Sequence, residues 1–180
     1  KSLSYHYRQS FNKYSDPYSL DNLSSSLELA YVNLKVHDKF GFTIGKQFVN
    51  FGGYEYFVNS IKVREFSEFN NLLTCYQAGI SGNWQINPDQ ELCFQIVNNR
   101  SGQDDEIYPT GLPGKTREAK VPFMYTVNWN SYYFDRVLQL RYAASMGQQT
   151  QKRYSYYLTC GNTIEKGPLL TYLDIMYTRH

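Results

Sequence analysis

Residues 121–130, which read VPFMYTVNWN, alternate between apolar and polar side chains almost without interruption. Phe123, Tyr125 and Val127 fall on one side of an extended chain, and Thr126 and Asn128 fall on the other. Because successive side chains of a β-strand point to opposite faces, this period of two predicts a strand with one apolar and one polar face. The polar side carries neutral amides and hydroxyls, whereas water-exposed strands usually carry more Lys and Glu.

The same alternation recurs along the whole chain and predicts about nine strands, whereas helical periodicity is hard to find. Three tight turns, at 37–39, 88–90 and 131–132, join neighbouring strands so that apolar side chains lie opposite apolar side chains. The predicted opposite pairs are Val36 with Phe40, Leu34 with Phe42, Val32 with Ile44, Trp84 with Phe94, Trp129 with Phe134, and Tyr125 with Leu138.

The connections between the predicted strands alternate in length. Long loops are predicted near residues 8–23, 50–70 and 99–118 and a medium one at 147–151, and short turns at 37–39, 88–90, 131–132 and 162–166. In an up-and-down antiparallel sheet, alternate connections lie at opposite ends, so the long loops collect at one end. Outer-membrane barrels have this asymmetry. We therefore expect residues 1–180 to form a single all-β domain, an antiparallel up-and-down transmembrane β-barrel.

Soluble antiparallel proteins such as lipocalins and β-sandwiches also alternate, with the apolar face as a packed core. The second hypothesis is therefore a soluble or surface β-sheet module that binds carbohydrate with exposed Tyr and Trp. Aromatic residues near the predicted short turns favour the membrane barrel, because such barrels carry aromatic girdles at the bilayer interfaces. These residues are Phe40, Phe42, Trp84, Phe94, Trp129, Tyr132, Tyr133 and Phe134.

The composition and the short motifs argue against several classes of function. The 180 residues include 18 tyrosines, yet the mean hydropathy is −0.55, and no run approaches the roughly 18 apolar residues of a membrane-spanning helix. The 18 basic and 16 acidic residues leave no nucleic-acid footprint. The three cysteines show no metal spacing, the acidic run at 104–106 is expected to be solvated, and no catalytic motif is present. We predict no enzyme activity, no cofactor and no metal.

A longer stretch resembles a known family. Ala30-Tyr31-Val32, Gly45-Lys46-Gln47 and Phe51-Gly52-Gly53-Tyr54-Glu55 follow one another in the first third of the chain, with weaker similarity through Tyr76–Ile80, Leu92–Asn98 and Leu173–Tyr177. This arrangement resembles the phosphate-selective porin O/P family, especially its relatives in Bacteroidetes-type outer membranes. The resemblance implies a pore of about sixteen strands, commonly trimeric. We therefore expect this chain to be part of a larger barrel, without its signal peptide and closing strands.

The polar face supplies the candidate pore-lining residues, because side chains facing the lumen of a barrel tune its selectivity. They are Lys35, Gln47, Gln77, Gln95, Asn128, Gln139 and Arg141. The loop at 50–70 is a candidate constriction, since Glu55, Lys62, Arg64 and Glu65 would set a field of mixed charges across the pore. A solvated face and a solvated surface loop are the plainer alternatives.

The sequence thus predicts an outer-membrane porin for passive diffusion of small hydrophilic solutes or ions. Its expected partners are outer-membrane lipid, small anions or other hydrophilic solutes, and identical subunits in a homotrimer, without nucleic acid. Phosphate selectivity requires arrays of Arg and Lys. The predicted polar face offers chiefly Lys35 and Arg141, so phosphate is not carried over as the substrate.

Overall fold

The computed structural model describes residues 2–9, 27–58, 67, 75–99, 116–117, 119, 122–151 and 153–179. Among the described residues, nine strands form one sheet in which each strand pairs antiparallel with the next along the chain. They are β1 (Ser2–Gln9), β2 (Leu27–His37), β3 (Phe40–Phe48), β4 (Tyr76–Asn87), β5 (Gln90–Asn98), β6 (Phe123–Tyr133), β7 (Leu138–Thr150), β8 (Arg153–Lys166) and β9 (Leu169–Arg179).

This up-and-down order confirms the predicted all-β architecture and strand number. β1 and β9 are the edges of the sheet and do not pair with each other, so the sheet is a partial barrel that is not closed. Within the described ranges, there is no helix of the length and hydropathy that crossing a bilayer requires.

The two faces of the sheet have an inverted distribution of burial. Gln47, Gln95 and Asn128 are almost fully buried, whereas Ile80 and Val127 are about two-fifths exposed, at 41% and 43%. A soluble protein buries apolar side chains and exposes polar ones. Here the apolar face turns outward, which is the arrangement that lipid on one side and a polar interior on the other would stabilise.

We call the buried side of the sheet the polar face and the other side the apolar face. The polar face includes Asn33, Thr43, Gln47, Gln77, Ser81, Gln95, Thr126, Asn128, Asn130, Ser145, Thr159 and Thr163. The apolar face includes Ile44, Ile80, Trp84, Phe94, Ile96, Tyr125, Val127, Tyr156, Leu158, Ile175 and Tyr177.

Short turns join β2 to β3, β4 to β5, β6 to β7 and β8 to β9, and they lie together at one end of the sheet. The predicted turn at 162–166 is wrong, because β8 continues through Lys166 and the turn falls at 167–168. The predicted loop at 147–151 is also wrong, since β7 extends to Thr150. Most of 8–23, 50–70 and 99–118 lies outside the described residues, as does the acidic run at 104–106.

Strand register agrees with the first hairpin and corrects the other two. Val32 pairs with Ile44 and Leu34 with Phe42, as predicted. The predicted pair Val36–Phe40 is wrong, because the ladder shifts between Lys35 and His37 so that His37 lies opposite Phe40. This irregularity absorbs one residue beside the turn and leaves the rest of the hairpin in register.

The second and third hairpins pair differently from the prediction. Trp84 lies opposite Leu92 rather than Phe94, and Trp129 lies opposite Tyr142 rather than Phe134. The pair Tyr125–Leu138 is wrong for the same reason, since Tyr125 lies opposite Met146. Each slip is by an even number of residues, so Trp84, Trp129 and Tyr125 stay on their predicted faces.

The misplaced third turn has a local cause. The predicted turn at 131–132 contains Ser131, a common turn residue, yet β6 continues to Tyr133. Phe134, Asp135 and Arg136 make the turn, all with positive φ, at 54°, 53° and 67°. Non-glycine residues seldom adopt this conformation. Residues 134–136 include neither Gly nor Pro, so the turn lacks the usual sequence signals. The Arg136 guanidinium lies 4.9 Å from the centre of the Tyr132 ring, a cation–π contact across the turn.

Candidate functional site

Side-chain amides link neighbouring strands on the polar face. The Gln47 side-chain oxygen accepts hydrogen bonds from Ser81 Oγ at 2.7 Å and from Gln95 Nε2 at 3.1 Å. Gln77 lies directly opposite Gln47 on β4. On β6 and β7, the Thr126 and Ser145 hydroxyls lie 2.8 Å apart. Burying amides and hydroxyls is tolerated here because most of them find partners within the layer.

The chain that follows β3 lies across this polar face. We call residues 49–58 the crossing segment. Its first contacts are with β5. The Asn50 backbone N–H donates to Gln95 Oε1 at 3.0 Å, and Asn50 Nδ2 donates to Cys93 Sγ at 3.0 Å. Gln95 also donates to the Phe48 carbonyl at 2.9 Å. Gln95 therefore fixes the point at which the chain leaves β3 and turns over the sheet.

The crossing segment then reaches β7, β8 and β9. The Gly53 N–H donates to the Arg141 carbonyl at 3.1 Å, and the Tyr54 N–H donates to Asp174 Oδ2 at 2.7 Å. Gly52 and Gly53 have φ values of +74° and +81°, which favour glycine. A Cβ on Gly161 would lie 2.5 Å from Gly53 Cα, so the two backbones touch at a distance that only glycine permits.

A small apolar cluster holds the crossing segment on the sheet. Phe51 is 1% exposed, and its ring centre lies 6.3 Å from that of Tyr157 on β8 and 5.6 Å from that of Tyr56. Val97 and Met124, which pair across β5 and β6, complete the base of the cluster. Burial raises the pKa of Tyr56 above its ordinary value, which keeps the phenol neutral. Burial of this apolar surface stabilises the crossing position of the segment.

A row of charged and polar residues lies beneath the crossing segment. Glu91, Asn130, Arg141, Gly161 and Asp174 lie opposite one another in turn across β5 to β9. The Arg141 guanidinium lies 4.5 Å from the centre of the Phe57 ring, and its Nη2 donates to Gln139 Oε1 at 2.8 Å. The crossing segment therefore contacts this row at Arg141. Glu91 and Asp174 lie in the same row, each two strands away from Arg141.

An open cavity of about 480 Å³ lies on the polar face beside the crossing segment. Carboxamides and hydroxyls from β2 to β6 dominate its polar lining, and Phe57 borders it. Lys35 and Glu91 are the charged residues of this lining within the described residues. The Lys35 ammonium lies 3.2 Å from Asp38 Oδ1, which offsets its charge. In the described residues, no group of three or more His, Cys, Asp or Glu could hold a metal ion.

The predicted pore-lining residues all occupy polar-face positions of the sheet. Gln47, Gln77, Gln95 and Asn128 are buried there, while Lys35, Gln139 and Arg141 lie nearer the turn end. Of the predicted constriction residues, Glu55 lies in the crossing segment and accepts hydrogen bonds from Ser67. Lys62, Arg64 and Glu65 lie outside the described residues.

Sequence reasoning missed the apolar anchor of the crossing segment. Val97, Met124 and Tyr157 stand at positions of the polar face where most neighbouring side chains are polar. This local break in the alternation was the available signal. It indicates an apolar partner lying over the polar face at that height of the sheet.

Comparison with family models agrees with the inverted faces and the up-and-down order. A family model described as phosphate-selective porin O and P matches residues 1–180. The chain belongs to this porin family. Comparison with curated proteins and with solved structures gives no match. The family indicates an outer-membrane protein and a channel rather than an enzyme. In this porin the polar face is accordingly the side to consider for solutes, and the apolar face the side to consider for lipid.

Proposed function

We propose that this porin is a passive diffusion channel for small hydrophilic solutes, with the crossing segment as its constriction. The observation that carries the proposal is the inverted burial of the sheet, with buried amides on one face and exposed aliphatic and aromatic side chains on the other. Outer-membrane lipid is the proposed partner of the apolar face. The proposed lining is the predicted set, which is Lys35, Gln47, Gln77, Gln95, Asn128, Gln139 and Arg141.

A planar bilayer tests the channel directly. The purified full-length protein is expected to give stepwise, ohmic openings in KCl without any energy source, because a water-filled lumen conducts passively. Liposome swelling in a neutral solute provides an independent measurement. A folded protein that gives neither current nor swelling would contradict the proposal.

Arg141 is proposed to bias the channel toward anions. Replacing it as Arg141→Gln removes a positive charge from the polar face between Glu91 and Asp174. The Cl⁻/K⁺ permeability ratio, taken from reversal potentials across a KCl gradient, is expected to fall roughly twofold or more. Low salt sharpens the measurement, because the screening length is about 10 Å at 0.1 M.

Two variants separate charge from shape at this position. Arg141→Lys keeps the charge and loses the planar contact with Phe57, so its permeability ratio is expected to stay near that of the wild type. Arg136→Gln removes the same charge from an exposed turn and serves as the matched control. An equal change in Arg136→Gln and Arg141→Gln would mean that Arg141 has no special place in the pore.

Cys160 reports what covers the apolar face. It is exposed, unpaired and located on β8, on the same face as Leu158 and Tyr156. If lipid covers this face, a charged, water-soluble thiol reagent is expected to leave Cys160 unlabelled in membranes and to label it after denaturation. Asp89→Cys, in the β4–β5 turn, is the positive control for reagent access.

The same labelling separates the two hypotheses about the sheet. A soluble or surface carbohydrate-binding module would expose Cys160 to water, so rapid labelling in the native state would favour that alternative. The family membership and the buried amides of the polar face favour the porin. Mass spectrometry of the labelled peptide identifies the cysteine that has reacted.

A further inference from the structure

Gln139 connects Arg141 to Glu165 on the polar face, near the turn that ends β8. Arg141 Nη2 donates to Gln139 Oε1 at 2.8 Å, and Gln139 Nε2 donates to Glu165 Oε2 at 3.2 Å. We propose that Gln139, oriented by Glu165, is a positioning residue that holds the Arg141 guanidinium where its charge stays available to passing anions. This inference rests on the proposed channel function and extends its anion bias to residues that act through Arg141.

The chemistry of the two partners fixes the orientation of the Gln139 amide. A guanidinium only donates hydrogen bonds, and a carboxylate only accepts them. The amide oxygen of Gln139 must therefore face Arg141, and its nitrogen must face Glu165. The same nitrogen donates to the Arg136 carbonyl at 3.3 Å. Glu165 and this carbonyl together orient Gln139, and Gln139 in turn orients Arg141.

Arg141 is held by uncharged groups. Its guanidinium lies 4.5 Å from the centre of the Phe57 ring, and Gln139 contributes a neutral amide oxygen. Among the residues that the structure describes, Arg141 forms no ion pair with a carboxylate. Lys35 differs, since its ammonium lies 3.2 Å from Asp38 Oδ1. A cation that the protein positions without neutralising it keeps its attraction for an anion.

Acidic side chains on both sides of Arg141 would neutralise it if the guanidinium turned toward them. Asp174 lies two strands away, and the backbone of Gly53 lies over β8 between these two positions. Glu91 lies two strands away on the other side, where no such backbone intervenes among the described residues. Two strand spacings are about 10 Å, a gap that two long side chains can close. The hydrogen bond to Gln139 directs Arg141 toward the turn instead.

The Cl⁻/K⁺ permeability ratio tests this role on open channels of the full-length protein. Gln139→Met removes the amide with little change in side-chain length. In 0.1 M salt the ratio is expected to fall about 1.5- to twofold, because Arg141 can then pair with an acid. The fall is expected to shrink in 1 M salt, where the screening length is about 3 Å. A change in pore shape would persist at high salt.

Two comparisons separate positioning from a direct effect of Gln139. In an Arg141→Gln background, Gln139→Met is expected to change the ratio no further, since the group that it positions is absent. Gln85→Met is the matched control, because Gln85 also lies on the polar face near a turn and donates to the carbonyls of Asn87 and Gln90. Its ratio is expected to match the wild type. Retarded mobility without heating on detergent gels checks that each variant is folded.

Glu165 is tested by comparing two backgrounds. If its charge acts directly on the permeating ions, Glu165→Met raises the ratio by the same factor with Gln139 present and after Gln139→Met. If Glu165 orients Gln139, the loss of that orientation opposes the rise only when Gln139 is present. The ratio is therefore expected to rise less in the wild-type background than in Gln139→Met. Equal factors would overturn the orienting role of Glu165.

The outcomes separate the positioning role from the channel. A lower ratio in Gln139→Met that is salt-sensitive and absent from the Arg141→Gln background supports the positioning role. A wild-type ratio in open Gln139→Met channels, a fall that persists in 1 M salt, or an equal fall with and without Arg141 overturns it and leaves the channel standing. A folded wild-type protein without current overturns both.

Discussion

Val127→Arg is expected to destabilise the folded protein by about 2–4 kcal/mol in a bilayer, the cost of placing Arg near the midplane on the lipid side of a barrel. Val127 lies mid-way along β6, between Phe94 on β5 and Ala144 on β7, and is 43% exposed on the apolar face. Denaturant unfolding in lipid vesicles measures the loss, and the amount of protein inserted into outer membranes should fall with it.

The size of the destabilisation by Val127→Arg shows whether lipid or water covers the apolar face. If water covered the apolar face, the same substitution would be an ordinary surface change, within about 0.5 kcal/mol of neutral. Tyr154→Arg is the matched control, because Tyr154 lies on the same face near the start of β8. Close to an interface, Arg costs only about 0–1 kcal/mol. Equal and small effects of both substitutions would contradict a lipid-covered face.

Gly161→Ala is expected to detach the crossing segment from the sheet and to raise single-channel conductance about twofold or more, because pore diameter limits passage. The added Cβ would lie 2.5 Å from Gly53 Cα and 2.9 Å from Gly53 N. Backbone atoms cannot rotate away as side chains can. The segment must therefore move, with loss of the bonds from Gly53 to the Arg141 carbonyl and from Tyr54 to Asp174.

Two further variants test whether the change in conductance comes from movement of the crossing segment. Gly82→Ala makes the same change on β4, where the nearest atoms, in the Phe40 ring, would lie 3.4 Å away, so its conductance is expected to match the wild type. Asp174→Asn removes only the charge from the acceptor of the Tyr54 N–H and is expected to act in the same direction more weakly. Wild-type conductance in a folded Gly161→Ala protein would mean that the crossing segment does not limit the pore.

Much of the fold follows from the sequence because a period of two is a strong constraint. The alternation of Tyr125 and Val127 with Thr126 and Asn128 assigns each side chain to a face whatever the exact pairing. For this reason Trp84 and Trp129 lie on the predicted face although their predicted partners are wrong. The hairpin pairings themselves depend on where each turn falls. The turn at Phe134–Arg136 carries no sequence signal that distinguishes it from the predicted turn at 131–132.

The candidate site was predictable only in part. The alternation of side chains along each strand placed Gln47, Gln95 and Asn128 on one face, because every second residue of a strand points to the same side of the sheet. Sequence patterning also marked the region after β3 as a candidate constriction, from its length and its charges. It could not supply the path of that region, since the contacts of Gly53 with Gly161 and of Tyr54 with Asp174 join residues far apart in the chain.

Interactions between neighbouring residues determine one part of this structure, and packing between distant residues determines the other. The alternation of side chains determines strands, faces and the polarity of each face, because these depend on neighbouring residues along one extended backbone. The register, the position of the crossing segment and the cavity beside it depend on close packing between distant parts of the chain. Close packing depends on the shape of both partners, such as two glycine backbones in contact or Phe51 against Tyr157, and is decided only when they meet in the folded sheet.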